Sequence, residues 1–136
     1  MKSALIILLS TLTALSTMAD SFYGVNSVRI GRSSTDRNGR TRYYGQNGAA
    51  IGHSERDGNY TKYYGANGSY QGRSQRNGNE TRYYGANGSY QGRAVRSGNE
   101  TRYYAANGSY QGRAVRSGNE SVYYDASGRR TGTRKH

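Results

Sequence analysis

The chain has 136 residues and a formal charge of +12, with fifteen tyrosines and twenty glycines but no cysteine, proline or tryptophan. A disulfide framework, a lipid-modified N-terminal cysteine and a cysteine metal site are therefore excluded. The only two histidines are His53 and His136, too few for His-based triads or metal sites, so a non-enzymatic chain with no cofactor and no metal is expected.

Residues 1–19 read as a secretory signal peptide. Met1 and Lys2 give a positive start, "SALIILLSTLTALS" is a short apolar run, and Thr17-Met18-Ala19 places small residues at −3 and −1 of a cleavage site. A retained anchor would need ~20 apolar residues, and this run is broken by Ser and Thr. The expected product is exported, to be periplasmic, cell-surface or secreted. It runs from Asp20 to His136, 117 residues with a charge of +11 once Lys2 is removed, room for one domain.

That stretch contains no leucine. Phe22, Val25, Val28, Ile30, Ile51, Val95, Val115 and Val122 are its whole aliphatic and Phe inventory, a composition that with high net charge ordinarily signals disorder. The tyrosines argue otherwise, because each ring can bury ~150 Å² or more while its hydroxyl finds a partner.

Residues 20–40, "DSFYGVNSVRIGRSSTDRNGR", read as an N-terminal cap or partial repeat, since "VRIGRSSTDRNG" imitates "SYQGRSQRNG" further on. From Thr41 the chain repeats with a strict period of twenty, with starts at Thr41, Thr61, Thr81, Thr101 and Ser121. Such a period marks units that bury their faces on one another. Each unit carries two turn signals, Asn87-Gly88 and Ser97-Gly98-Asn99 in the third, separated by Thr- and Tyr-rich runs with strand chemistry. The prediction is an all-β chain of about ten short strands. Its tandem 20-residue β-hairpin repeats over residues 41–130 form an antiparallel meander or a β-solenoid sheet, with residues 131–136 as a basic tail.

A two-residue I′ turn at Asn87-Gly88 would place Thr81, Tyr83, Gly85, Tyr90, Gly92 and Ala94 on one face, and Arg82, Tyr84, Gln91, Arg93 and Val95 on the other. The first tyrosine of each pair then covers a cross-strand glycine. Tyr43, Tyr63, Tyr83, Tyr103 and Tyr123 are the expected core, joined by Tyr70, Tyr90 and Tyr110. A three-residue loop at the second turn would set Arg76, Arg96 and Arg116 opposite Glu80, Glu100 and Glu120.

The other face defines the candidate site: Arg42, Tyr44, Lys62, Tyr64, Arg73, Arg82, Tyr84, Arg93, Arg102, Tyr104 and Arg113. Guanidinium forks bind carboxylate, sulfate or phosphate, and exposed rings add stacking and cation-π contact. A ladder of such groups suits an extended polyanion or glycan through many weak contacts. The bland alternative is a solvated face that keeps a sheet soluble. His53, at the position of Arg73 and Arg93, reads as a surface replacement, and "GANGSYQG" as a turn, since no Lys-Ser/Thr follows it.

"YYGANGSYQG" resembles the glucan- and choline-binding cell-wall repeats, which implies stacked hairpins. The choline ligand is not carried over, because the tryptophan of their aromatic cages is absent and the surface is basic. "YYDASGRRTG", from Tyr123, is similar to the tyrosine-aspartate repeats of secreted shell proteins. The tandem Tyr-Gly-Asn units also resemble small exported bacterial proteins labelled fibronectin-binding, which implies adhesion. The expected function is an adhesin-like binding module for a polyanion, a glycan or a matrix glycoprotein. Alternatives are an envelope component that self-associates through strand edges, and binding of extracellular nucleic acid.

Overall fold

The computed structural model describes residues 19–24 and 26–136. The expected signal peptide lies outside the described residues except for Ala19, which opens the first strand.

Among the described residues twelve strands follow one another: β1 (Ala19–Tyr23), β2 (Arg29–Thr35), β3 (Arg40–Gly45), β4 (Ala50–Asp57), β5 (Tyr60–Gly65), β6 (Tyr70–Asn77), β7 (Glu80–Gly85), β8 (Tyr90–Ser97), β9 (Glu100–Ala105), β10 (Tyr110–Ser117), β11 (Glu120–Asp125) and β12 (Arg130–Lys135). Each pairs antiparallel with its sequence neighbours, and β1 pairs with β12, so the sheet closes into an up-and-down barrel. The meander is as expected; the solenoid is not, and the strands number twelve rather than ten. Residues 20–35 supply a sixth hairpin, β1 and β2, in which Phe22-Tyr23-Gly24 stands where Tyr43-Tyr44-Gly45 stands in the next. Closure pairs the edges that an open repeat array would leave exposed.

Curvature has a repeated source. Every hairpin carries a β-bulge on its second strand, at Ile30, Ile51, Gln71, Gln91, Gln111 and Thr131, between residues opposite the tyrosine pair. A bulge bends its strand and increases local twist, and six of them at equivalent places turn a flat meander into a cylinder.

The bulge also corrects the face assignment. Tyr83 pairs with Gly92 as expected, but Tyr84 pairs with Tyr90, because Gln91 is the extra residue. Tyr70, Tyr90 and Tyr110 therefore share the outer wall and are exposed, not core. The Asn87-Gly88 turn differs as well. Gly85 N–H donates to Ser89 O (2.8 Å) and Gly88 N–H to Gly85 O (2.9 Å), enclosing a three-residue loop. Only Gly88 has positive φ (84°), so this is a type I turn ending in a glycine bulge rather than an I′ turn. Asn87 Oδ1 accepts the Ser89 N–H at 3.0 Å.

At the opposite end the second turn is shorter than expected. Ser97 pairs with Glu100 and Arg96 with Thr101, leaving Gly98-Asn99 as a two-residue turn with positive φ (58°) at the glycine, the II′ pattern. The expected pairing of Arg96 with Glu100 does not form, nor do its equivalents at Arg76 and Arg116, which pair with Thr81 and Ser121.

The lumen is filled from alternate strands. Phe22, Tyr43, Tyr63, Tyr83, Tyr103 and Tyr123 all point inward and are buried. Each lies opposite a glycine of its own hairpin: Gly31, Gly52, Gly72, Gly92, Gly112 and Gly132. On its other side stands Ser33, Ser54, Ser74, Ala94 or Ala114 for the five tyrosines, and Arg134 for Phe22. Large rings against small residues let one layer of six side chains cross a bore wider than that of an eight-stranded barrel. Tyr43 and Tyr63 hydroxyls are hydrogen bonded to Ser54 Oγ (3.0 Å) and Ser74 Oγ (2.8 Å). Glycine is required at Gly92: φ is 139°, and a Cβ there would stand 2.3 Å from Tyr104 O.

Candidate binding surface

Because the first tyrosine of each pair faces the lumen, the alternation sends the second outward together with the flanking cations. Tyr44, Tyr64, Tyr84 and Tyr104 are half-buried on the wall, and Arg42, Lys62, Arg73, Arg82 and Arg102 are exposed around them.

The seams between hairpins are built from ring contacts. Arg32 lies over Tyr44 (4.5 Å), His53 stacks on Tyr64 (4.8 Å between centroids, 14° between planes), Arg73 lies over Tyr84 (5.3 Å), Arg93 over Tyr104 (5.0 Å) and Arg113 over Tyr124 (5.1 Å). Lys135 over Tyr23 (5.1 Å) completes the circuit at the closing seam. The ring of Tyr84 also meets Tyr90 at 5.9 Å, as Tyr64 meets Tyr70 and Tyr104 meets Tyr110. Three successive hairpins thus present an angled tyrosine pair, roofed by the His53 ring in the first and by a guanidinium in the other two.

The cations divide by role. Arg73, Arg93 and Arg113 roof the tyrosines, whereas Arg82 and Arg102 reach outward with side chains 59% and 60% exposed. Arg82 Nε donates to Glu80 (2.6 Å) and Arg102 Nε to Glu100 (2.5 Å); Arg113 reaches the other oxygen of Glu100 at 3.3 Å. The Arg102 hydrogen bond, more than any other neighbour, holds the Glu100 carboxyl below its usual range. Glu80 and Glu100 moderate the repulsion between the directly opposed Arg82 and Arg93, and Arg102 and Arg113. On the β3–β4 hairpin Arg40 pairs with Glu55, and His53 Nε2 stands 3.7 Å from the same carboxylate.

Asp125 takes another role. It accepts the Ser127 hydroxyl (2.6 Å), the Ser127 and Arg129 backbone N–H groups (3.0 and 2.9 Å) and Arg129 Nε (3.3 Å). The Ser127 hydroxyl is the largest influence bringing its pKa down to about 2, followed by the Arg129 N–H. The residue caps a turn.

All eleven expected site residues lie on one continuous outer wall. Missed were Tyr60, Tyr70, Tyr90 and Tyr110, which join that wall, and Arg32 and Lys135, which carry the belt across the seam. A bulge at the second strand of each hairpin was the hidden variable; no residue type in "SYQG" announces it. Also missed were Arg56, Arg76, Arg96 and Arg116, which share the phase of Ser54, Ser74, Ala94 and Ala114 and so turn into the barrel end. Carrying the alternation two residues past Ala94 would have found them.

No helix among the described residues is long and apolar enough to cross a membrane. A lipid-facing barrel needs strands of ~9–11 residues and an apolar outer band. Here the strands have five to eight residues, and the mid-wall positions carry Arg, Lys, Glu and His. The wall has the chemistry of a surface facing water.

In comparisons with known proteins, no family model matches the chain, and neither a curated protein nor a solved structure matches it.

Proposed function

We propose that this protein is an exported, non-enzymatic module that binds anionic, glycan-rich polymers, such as a matrix glycoprotein or an envelope polymer, along its outer wall. The observation that carries the reading is the threefold recurrence of an angled tyrosine pair, at Tyr64 and Tyr70, Tyr84 and Tyr90, and Tyr104 and Tyr110, the last two roofed by Arg73 and Arg93. Successive groups are two strands apart, roughly 10 Å around the barrel, comparable with one disaccharide of a linear glycan. Tyrosine offers a rigid apolar face to a sugar ring and a hydroxyl to its rim, while Arg82 and Arg102 stand outermost to meet sulfate or carboxylate. Each contact is weak; several engaged by one chain multiply.

Self-association through strand edges has little support, since the barrel's strands are paired on both sides. Single-stranded DNA remains a competitor for the same rings and cations and belongs in the test.

The test measures binding of a sulfated glycan, its desulfated form and single-stranded DNA across a salt series. The sulfated glycan should bind best and weaken as salt rises. Arg82→Ala and Arg102→Ala should each lower affinity several-fold, and Tyr90→Ala with Tyr110→Ala should lower it further while leaving the melting temperature nearly unchanged. Equal affinity for sulfated glycan and DNA, or indifference to all four substitutions, would sink the reading.

A further inference from the structure

The inward phase of the second arginine on each long strand creates a cationic feature distinct from the wall. Arg56, Arg76, Arg96 and Arg116 come from β4, β6, β8 and β10, and each lies two residues beyond a small buried residue that faces the lumen. Their cross-strand partners are Thr61, Thr81, Thr101 and Ser121. Each Nε donates to the carbonyl of the glycine two residues on, Gly58, Gly78, Gly98 and Gly118, at 3.3, 3.2, 3.3 and 3.3 Å. Four hairpins therefore hold the guanidinium the same way, by its Nε edge, against the turn that follows.

Three of these arginines, Arg56, Arg76 and Arg96, line one cavity of about 50 Å³ at this end of the barrel, together with Thr61, Thr81 and Thr101. Its remaining lining is Gly58, Asn59, Ser74, Asn79 and Ala94, with no carboxylate among them. Among the described residues, Arg56, Arg96 and Arg116 take part in no ion pair, unlike Arg82 and Arg102 on the wall. His136, just past β12, is anchored on the β10–β11 turn and on β11: its N–H donates to Asn119 O (2.8 Å) and its ring is hydrogen bonded to Ser121 Oγ (3.0 Å); it does not line the cavity.

We propose that this mouth binds one tetrahedral oxyanion, a phosphate or sulfate, free or as the end of a monoester. Guanidinium forks and hydroxyls converge from three hairpins, which suits an anion with acceptors on three sides better than a planar carboxylate. The cavity holds a single compact group and not a polymer segment. Nε anchoring restricts the side chains before the ligand arrives, so less rotamer freedom is lost on binding. The lining holds no carboxylate to repel the anion, so its binding to the folded barrel alone stabilises that state.

The site goes beyond the wall reading and stands or falls separately from it. The experiment titrates the purified protein with inorganic phosphate, inorganic sulfate, a sugar phosphate and a sulfated monosaccharide. Ionic strength is held constant with sodium chloride, and heat of binding and melting temperature are followed. One equivalent of oxyanion should bind, with a saturable rise in melting temperature. Arg76→Gln combined with Arg96→Gln should weaken it at least tenfold while leaving sulfated-glycan binding intact. Arg96→Lys, which keeps the charge and serves if the double variant folds poorly, should also weaken it by losing the fork. Arg82→Ala should leave it unchanged. A preference for the monoesters over the free ions would identify a terminal sugar ester as the ligand, and the reverse a free ion. An equal rise with chloride alone, or mouth variants that bind as tightly as the parent, would overturn the proposal.

Discussion

Tyr83 and Tyr84 are adjacent, chemically identical and part of the same strand, yet one is 3% exposed and lies inside the barrel while the other lies half-buried on the wall. Five hairpins repeat this division. Inside, each ring has glycine on one flank and serine or alanine on the other, and the layer replaces an aliphatic core. Outside, each ring has a cation above it or a histidine stacked on it, and the layer ties neighbouring hairpins together. The same side chain serves as core or as seam according to strand phase alone. Its amphipathic character suits both places: the inner Tyr43 and Tyr63 hydroxyls are hydrogen bonded to Ser54 and Ser74, and the outer rings lie half-buried on the wall.

The sharpest way to break this division is to empty one position on each side. Tyr83→Ala should cost about 3–5 kcal/mol in denaturant unfolding, the range for removing a buried aromatic. Tyr84→Ala should cost on the order of 1 kcal/mol, the scale of one cation-π contact plus partial burial. Equal losses would mean that the lumen layer is not the core.

The next test fills space rather than removing it. Gly92→Ala should cost about 1–3 kcal/mol, because its Cβ would collide with Tyr104 O and force the strand from its bulged path. Gly88→Ala, at the turn, has nothing within 4 Å of the added carbon and only the left-handed φ to oppose it, so it should cost less.

A finer probe acts on the hydroxyl. Ser74→Ala removes the partner of the buried Tyr63 hydroxyl and should cost about 1 kcal/mol. In the double variant with Tyr63→Phe the two losses should not add, since both substitutions remove the same hydrogen bond.

The smallest expected effect is electrostatic and confined to the last hairpin. Asp125 is depressed to about 2 from an ordinary value of 3.8, so its contribution is present above about pH 3.8 and disappears as pH falls toward 2. Melting temperatures of the parent and of Asp125→Asn should therefore differ at pH 5 and converge by pH 2.

The aromatic layer was legible before the fold. Tyr43, Tyr63, Tyr83, Tyr103 and Tyr123 followed from the twenty-residue period and the glycine that recurs nine residues after each. The cationic wall was legible for the same reason, since Arg82, Tyr84 and Arg93 alternate with that layer. Tyr90 was misplaced because a bulge leaves no mark in residue type, and a one-residue insertion reverses every side chain beyond it. Arg96 was given the wrong cross-strand partner because its loop was read one residue too long. Its neighbours Ser97, Gly98 and Asn99 are all turn residues, and only pairing distinguishes the strand end from the turn.

Local chemistry in this chain is short-ranged: turn glycines, period and face alternation are properties of a few consecutive residues, and all three can be read along the chain. The closure of β1 on β12 joins residues more than a hundred positions apart, and it depends on the summed bend of six bulges and the width that six rings can fill. No stretch of neighbouring residues encodes that sum; it exists only in the closed ring. With it came the burial of Arg134 over Phe22 at 5.4 Å and the gathering of Arg56, Arg76 and Arg96 around one mouth, because a ring brings together residues that an open sheet would hold apart.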